Sequence, residues 1–316
     1  LDEARARLRE RIDFFAWLQW HADAQWRAAR ADARGNGVVV FGDVPFMVGA
    51  GSADVWARQD EFMLDASVGT PPDPFSATGQ DWGLPVYRWP EIAAGGFEWL
   101  RQRGARAASL FDGFRVDHLV GFYRTFVRPQ HGEPYFLPSE PHEQLAQGEA
   151  IMRMFMETGA AVTAEDLGTV PDYVRESLGR LGLPGYIIQR WHRRWHTEGE
   201  PFIPPAEWLP NAVATTGTHD TETLVEWIDT LPAGERRQFG DLDTIPASLY
   251  HSPSNLLILP IQDLFGWRDR INTPATVGDA NWRWALPWPV DRMRTLPEAA
   301  ARAEGLRDLA QGSGRL

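Results

Sequence analysis

The chain has 316 residues, 43% of them hydrophobic and 23% charged, with a net charge of −12. That is long enough for one large domain or two modest ones, and the acidic balance argues against a nucleic-acid partner, which needs a basic face. There is no Cys and no Lys, which removes thiolate nucleophiles, disulfides, Schiff bases and a lysine base. Asp, Glu, His, Ser, Thr, Tyr and Arg remain for chemistry. No apolar run approaches a membrane span, and no membrane partner is expected; the expected location is cytoplasmic. The 15 Trp suit either a Trp-rich core or aromatic platforms for a flat ligand face. The chain opens at Leu1 inside a helical pattern, and an N-terminal truncation is expected.

In chain order, residues 2–34 carry an apolar stripe of Leu8, Ile12, Phe15, Leu18 and Trp26 and predict one helix. Gly35-Asn36-Gly37 closes it. Residues 38–41 predict a buried strand. Residues from about 42 to 90 are rich in Gly, Pro, Asp and aromatics and predict a long functional loop. A helix over about 95–110 precedes a strand at 113–116. A helix over about 148–157 precedes a strand at 161–164. Pro171 opens a further helix and Gly182 closes it. Strands follow at 186–189, 212–215 and 256–260, with helices near 222–228, 246–251 and 297–311. Strands separated by helices predict parallel βα units. The expected fold is α/β, a TIM-type (β/α)8 barrel that is incomplete: six strands are visible where eight are needed, so the first two are expected to be missing. Residues 1–316 are expected to form one catalytic barrel domain, with the 42–90 insertion at the C-terminal face.

Acids sit at or just past the ends of these strands: Asp43, Asp117, Glu165, Asp220 and the pair Gln262–Asp263. Parallel strand ends delivering carboxyl groups to one mouth is how a β/α-barrel builds an active site. In Phe114-Arg115-Val116-Asp117-His118 the two-residue period puts Arg115 and Asp117 on one face. An Arg beside a carboxylate favours the ionised form, which a nucleophile at a sugar carbon needs. A structural ion pair fits the same spacing. Glu165 fits a proton donor if its surroundings are apolar, or a helix cap. His219 and Asp220 fit sugar hydroxyls and developing positive charge, or a structural pair. Asp43, Asp54, Trp56, Phe75, Trp82 and Tyr87 in the 42–90 segment combine aromatic faces with acids, which suits a pyranose or the self-packing of a long loop. His118, His219 and the acids compete as ligands for a divalent ion, but no His-x-His or His-Glu-x-x-His spacing is present, and no metal or cofactor is expected.

Several stretches resemble the amylomaltase or disproportionating-enzyme family, the 4-alpha-glucanotransferases. They include Gly42-Asp43-Val44-Pro45, Ser52-Ala53-Asp54-Val55-Trp56-Ala57, Trp82-Gly83, Arg115-Val116-Asp117-His118, Ala164-Glu165-Asp166-Leu167-Gly168, Thr216-Gly217-Thr218-His219-Asp220, Pro260-Ile261-Gln262-Asp263 and Asn281-Trp282-Arg283-Trp284. They run in family order over nearly the whole chain. The resemblance implies Asp117 as nucleophile, Glu165 as general acid/base and Asp220 as transition-state stabiliser. It implies Arg115 orienting the nucleophile, and His219, Asp43, Trp82, Asp54, Phe75 and Asn281 contacting sugar. The implied reaction is retaining transfer of α-1,4-glucan segments between malto-oligosaccharides. A retaining α-glucosidase or amylase-type hydrolase with the same acids, or a weak glucan-binding remnant, are the alternatives. The chain departs from the family at Pro74, Leu84, Val120 and Thr221-Glu222, which bears on acceptor preference and loop closure rather than on the acids.

Overall fold

The computed structural model describes residues 1–72, 78–274, 276 and 278–316. Chain contacts divide them into two units, Leu1–Leu183 and Pro184–Leu316. In the first unit the strands are β1 (Phe41–Val44), β2 (Phe62–Thr70), β3 (Gln80–Tyr87), β4 (Gly113–Val116), β5 (Thr125–Pro129), β6 (Tyr135–Leu137) and β7 (Ala161–Ala164). β1, β4 and β7 form a parallel sheet in that order, with Phe41 paired to Gly113 and Gly113 to Ala161. Phe114 and Val116 of β4 have no exposed surface. A parallel strand between two others is covered on both faces, so it reads as an unbroken apolar run rather than an alternation. The helices Glu98–Leu110 and Pro141–Met156 lie in chain order before β4 and β7. Leu100, Phe114, Phe122, Ile151, Met152 and Phe155 join one buried cluster, each side chain stabilising the unit by about 2 kcal/mol.

The 42–90 segment is not one loop. Strands β2 and β3 pair antiparallel, and β5 and β6 extend them into a sheet of order β3-β2-β5-β6. Bulges in β2, glycines and Pro85 inside β3 break the simple alternation that would have marked these strands. β1 begins at Phe41 rather than ending there, so Asp43 lies inside a strand. The N-terminal helix breaks at Leu8 into Asp2–Arg7 and Arg9–Gly35. Its expected apolar stripe is exposed at Leu8, Ile12, Phe15 and Leu18. Its C-terminal part is tied down: Trp26 Nε1 donates to Leu110 O (2.8 Å) and Arg30 Nη2 to Phe111 O (2.7 Å).

In the second unit β8 (Gly185–Ile188), β9 (Ala212–Thr215) and β10 (Leu256–Leu257) form a parallel sheet of order β10-β9-β8. β10 covers two residues of the expected 256–260. Ala212, Ala214, Leu224, Trp227, Ile245 and Leu249 lie in its buried cluster. The helix Ala233–Phe239 was not expected. Gln262 and Asp263 lie in the helix Ile261–Phe265 instead of at a strand end. Gly182 closes the helix Asp172–Leu181 at φ 70°, a conformation that favours glycine. The Trp residues divide as well: Trp89, Trp99, Trp208 and Trp227 are core, while Trp56, Trp195 and Trp282 are exposed. Among the described residues no helix is long and apolar enough to cross a membrane.

Candidate active site

Asp43, Asp117, Glu165 and Arg115 meet at the C-terminal edge of β1, β4 and β7. The register sets Asp43 opposite Arg115. The ladder then runs one residue beyond the strands: Asp117 N–H donates to Val44 O (3.1 Å) and Glu165 N–H to Val116 O (3.0 Å). Asp117 and Glu165 therefore stand side by side on neighbouring strands, whose spacing is about 4.8 Å. Arg115 Nη1 donates to Asp43 Oδ1 at 2.8 Å, and Nη2 donates to Asp117 Oδ1 at 2.7 Å. The same Nη2 is 3.6 Å from Glu165 Oε2. One nitrogen in reach of both carboxylates bounds their facing oxygens to about 6 Å of each other, against about 5–5.5 Å for retaining glycosidase pairs. The burial of Arg115 opposes its charge, but Asp117, Glu165 and Asp43 outweigh that and keep it firmly cationic.

The two acids differ in surroundings. The Asp117 side chain is 36% exposed and that of Glu165 only 15%. Burial pushes the Glu165 carboxyl up to about 7; Arg115 pulls it down and Asp117 reinforces the rise. A carboxylic acid near 7 is poised to give and take a proton at neutral pH. The His118 backbone N–H holds Glu165 Oε2 at 2.6 Å, from a turn in which His118 adopts φ 41°. Burial pushes the His118 ring down to about 4, so it is neutral at pH 7. Its ring centroid lies 4.8 Å from Trp82 and 5.7 Å from Phe46. Trp82 is thus brought to the residue that follows Asp117.

Other expected site residues stand apart from this shelf. Asp54 and Asp43 line one open cleft with Trp99 and Arg103, but Asp54 Oδ1 accepts from Trp99 Nε1 at 3.1 Å and so links two helices. Phe75 lies outside the described residues.

In the second unit Thr216-Gly217-Thr218-His219-Asp220 follows β9 as a tight turn. Buried Asp263 ties the start of the turn to the start of the next helix: Oδ2 accepts from Thr216 Oγ1 (2.5 Å) and Oδ1 from Leu224 N–H (2.7 Å). Arg190, also buried, donates to Thr216 O (3.0 Å) and Glu222 O (2.9 Å). The expected strand-end acid Asp263 is therefore a brace for the turn. Gly217 is required by this packing: a Cβ there would stand 2.5 Å from Thr221 Oγ1 and 2.9 Å from Arg190 Nη2. The Asp220 side chain is half exposed, with Oδ2 3.4 Å from His219 Nε2. The His219 ring lies 5.2 Å from Trp282. Asn272 Nδ2 donates to Asp220 Oδ1 at 2.6 Å, a partner that sequence reasoning missed because nothing local marks it. Asn281 turns its amide to its own loop, donating to Thr276 O (3.1 Å) and accepting from Thr273 N–H (3.1 Å).

A family model described as 4-alpha-glucanotransferase, glycoside hydrolase family 77, matches residues 1–291. A Thermus thermophilus 4-alpha-glucanotransferase is 33% identical over 336 residues, covering 96% of this chain and 66% of the relative. A Chlamydia caviae 4-alpha-glucanotransferase is 31% identical over 317 residues, covering 93% and 60%. This chain thus spans less than two thirds of the length of these relatives. The structure of the amylomaltase from Streptococcus agalactiae in complex with acarbose superimposes with a TM-score of 0.84 at 26% identity, over 99% of this chain and 66% of that one. The mixed α/β architecture and this likeness are consistent with a TIM-type glycoside hydrolase fold. With matching motifs at the strand ends and a family match over 1–291, the chain belongs to the 4-alpha-glucanotransferase family.

Proposed function

We propose that this protein is a retaining 4-alpha-glucanotransferase acting on α-1,4-glucans and malto-oligosaccharides. The single observation that carries the reading is the Arg115 Nη2 contact, 2.7 Å to an open carboxylate and 3.6 Å to a buried one raised to about 7. Asp117 attacks the anomeric carbon as the glycosidic C–O bond breaks, and Glu165 gives its proton to the leaving oxygen. The glucan is then held as an ester on Asp117. An incoming sugar gives its 4-hydroxyl proton to Glu165, its oxygen bonds to the anomeric carbon, and the ester bond breaks. Two inversions retain configuration. Asp220 takes the third role that the family resemblance assigns, stabilising the positive charge of the transition state. Arg115, Asp43, Trp82, His219, Asp54, Phe75 and Asn281 are the proposed orienting and sugar-contacting residues. Each unit's parallel sheet, β1-β4-β7 and β10-β9-β8, is read by itself as βα units of a TIM-type catalytic fold. A cytoplasmic location belongs to the same reading.

The test is incubation with maltotriose. Redistribution into glucose and a ladder of longer oligosaccharides is expected. Stoichiometric breakdown to glucose and maltose, with nothing longer, would make the protein a hydrolase. Residual turnover equal in the wild type and Asp117→Asn would make it a glucan-binding module.

A further inference from the structure

Resting on the reading of Asp220 as the charge-stabilising acid, we infer that Asn272 is its positioning residue. The turn that bears Asp220 is gripped by one short segment of chain. Asn272 Nδ2 donates to Asp220 Oδ1 at 2.6 Å, the Asn272 backbone N–H donates to His219 O at 3.1 Å, and Arg270 Nη2 donates to Asp220 O at 3.0 Å. That segment is the base of a closed loop. Trp282 N–H donates to Ile271 O at 2.8 Å, and Asn281 bonds Thr273 and Thr276 across the loop. Asn272 is therefore fixed from behind, and its amide can hold a half-exposed carboxylate in one rotamer.

The chemistry of the donor matters. Arg115 lays a full positive charge on Asp117. Asn272 is a neutral amide, so its own hydrogen bond orients Asp220 without adding a positive charge to it. Arg270, on the same segment as Asn272, addresses the backbone carbonyl of Asp220. A hydrogen bond to a charged group is worth about a tenfold to hundredfold effect.

The experiment uses the Asp117→Asn protein, which cannot turn over, titrated calorimetrically with acarbose, whose amine nitrogen is cationic, and with neutral maltotetraose. Adding Asn272→Ala should weaken acarbose by about tenfold and maltotetraose by less than about twofold, with an unchanged melting temperature. In the protein with Asp117 intact, the same substitution should lower kcat by about tenfold and leave KM within about twofold. Equal weakening of both ligands, or weakening of maltotetraose alone, would make Asn272 a sugar contact and overturn the inference. Unchanged acarbose binding with unchanged kcat would also overturn it. An Asp117→Asn parent that binds neither ligand would instead defeat the glucan reading itself.

Discussion

Asp117 and Asp220 both follow a short buried parallel strand, yet the chain holds them by different means. Asp117 comes directly after β4, and the sheet ladder reaches it through its own N–H. Its carboxylate is gripped by a cation from the same strand face. Asp220 lies several residues beyond β9, in a turn braced by Asp263 and Arg190 and oriented by a neutral amide. The first arrangement is rigid because the ladder that builds the sheet also builds the site. The second depends on loop closure between residues far apart in the chain. The contrast suits their proposed tasks: a nucleophile needs a fixed line of attack, and a charge stabiliser needs an orienting donor that adds no positive charge of its own.

The sharpest way to break this comparison is at the strand end. Asp117→Asn keeps shape but removes the proposed nucleophile, and transfer from maltotriose should fall by about a thousandfold or more, with the melting temperature little changed. Arg115→Lys comes next. A single ammonium cannot copy the fork that serves Asp43 and Asp117 at 2.8 and 2.7 Å, so kcat should fall by about a hundredfold; a variant within about twofold of wild type would remove the cation from the argument.

Glu165 offers a test through pH. Its folded value is about 7, above the ordinary 4.5. The folded state therefore holds the proton more tightly than the unfolded chain, and stability falls as pH rises from about 4.5 to about 7. Above that window the buried charge costs on the order of 3 kcal/mol. Glu165→Gln removes the charge and keeps an acceptor for His118 N–H. It should raise the melting temperature at pH 8 and leave it nearly unchanged at pH 4; equal shifts at both would contradict the buried-acid account. In its proposed role as general acid Glu165 breaks the donor linkage in its protonated form, so kcat/KM for that step should decline as pH rises through about 7. The smallest effect belongs to the turn. Asp263→Ala leaves the buried Leu224 N–H without its acceptor and should cost about 2 kcal/mol of stability by chemical denaturation, with kcat lowered through a displaced Asp220. Unaltered stability would show that Asp263 is not the brace.

Much of the two parallel sheets was legible in the residues. Short apolar runs at 113–116, 161–164 and 212–215 mark strands in register with the observed ones, because a strand buried on both faces needs such a run. The two-residue period set Arg115 and Asp117 on one face before any coordinates. The antiparallel sheet of β2, β3, β5 and β6 was not legible, since bulges, Gly and Pro disguise its alternation. Asp263 was misplaced because an acid after an apolar run looks the same whether the strand continues or a helix begins.

What the sequence determined alone is the chemical inventory and its order. With no Lys and no Cys, Asp, Glu, His, Ser, Thr, Tyr and Arg are the groups left for chemistry, and the strand-end motifs set the order of the acids along the chain. Tertiary structure decided the rest. Asp43 meets Arg115 across 72 residues and Asn272 meets Asp220 across 52, pairings set by sheet register and loop closure rather than by any local pattern. The elevation of Glu165 came from the same source: a proton affinity depends on how much water the fold removes, and desolvation is a property of packing that no short stretch of residues encodes.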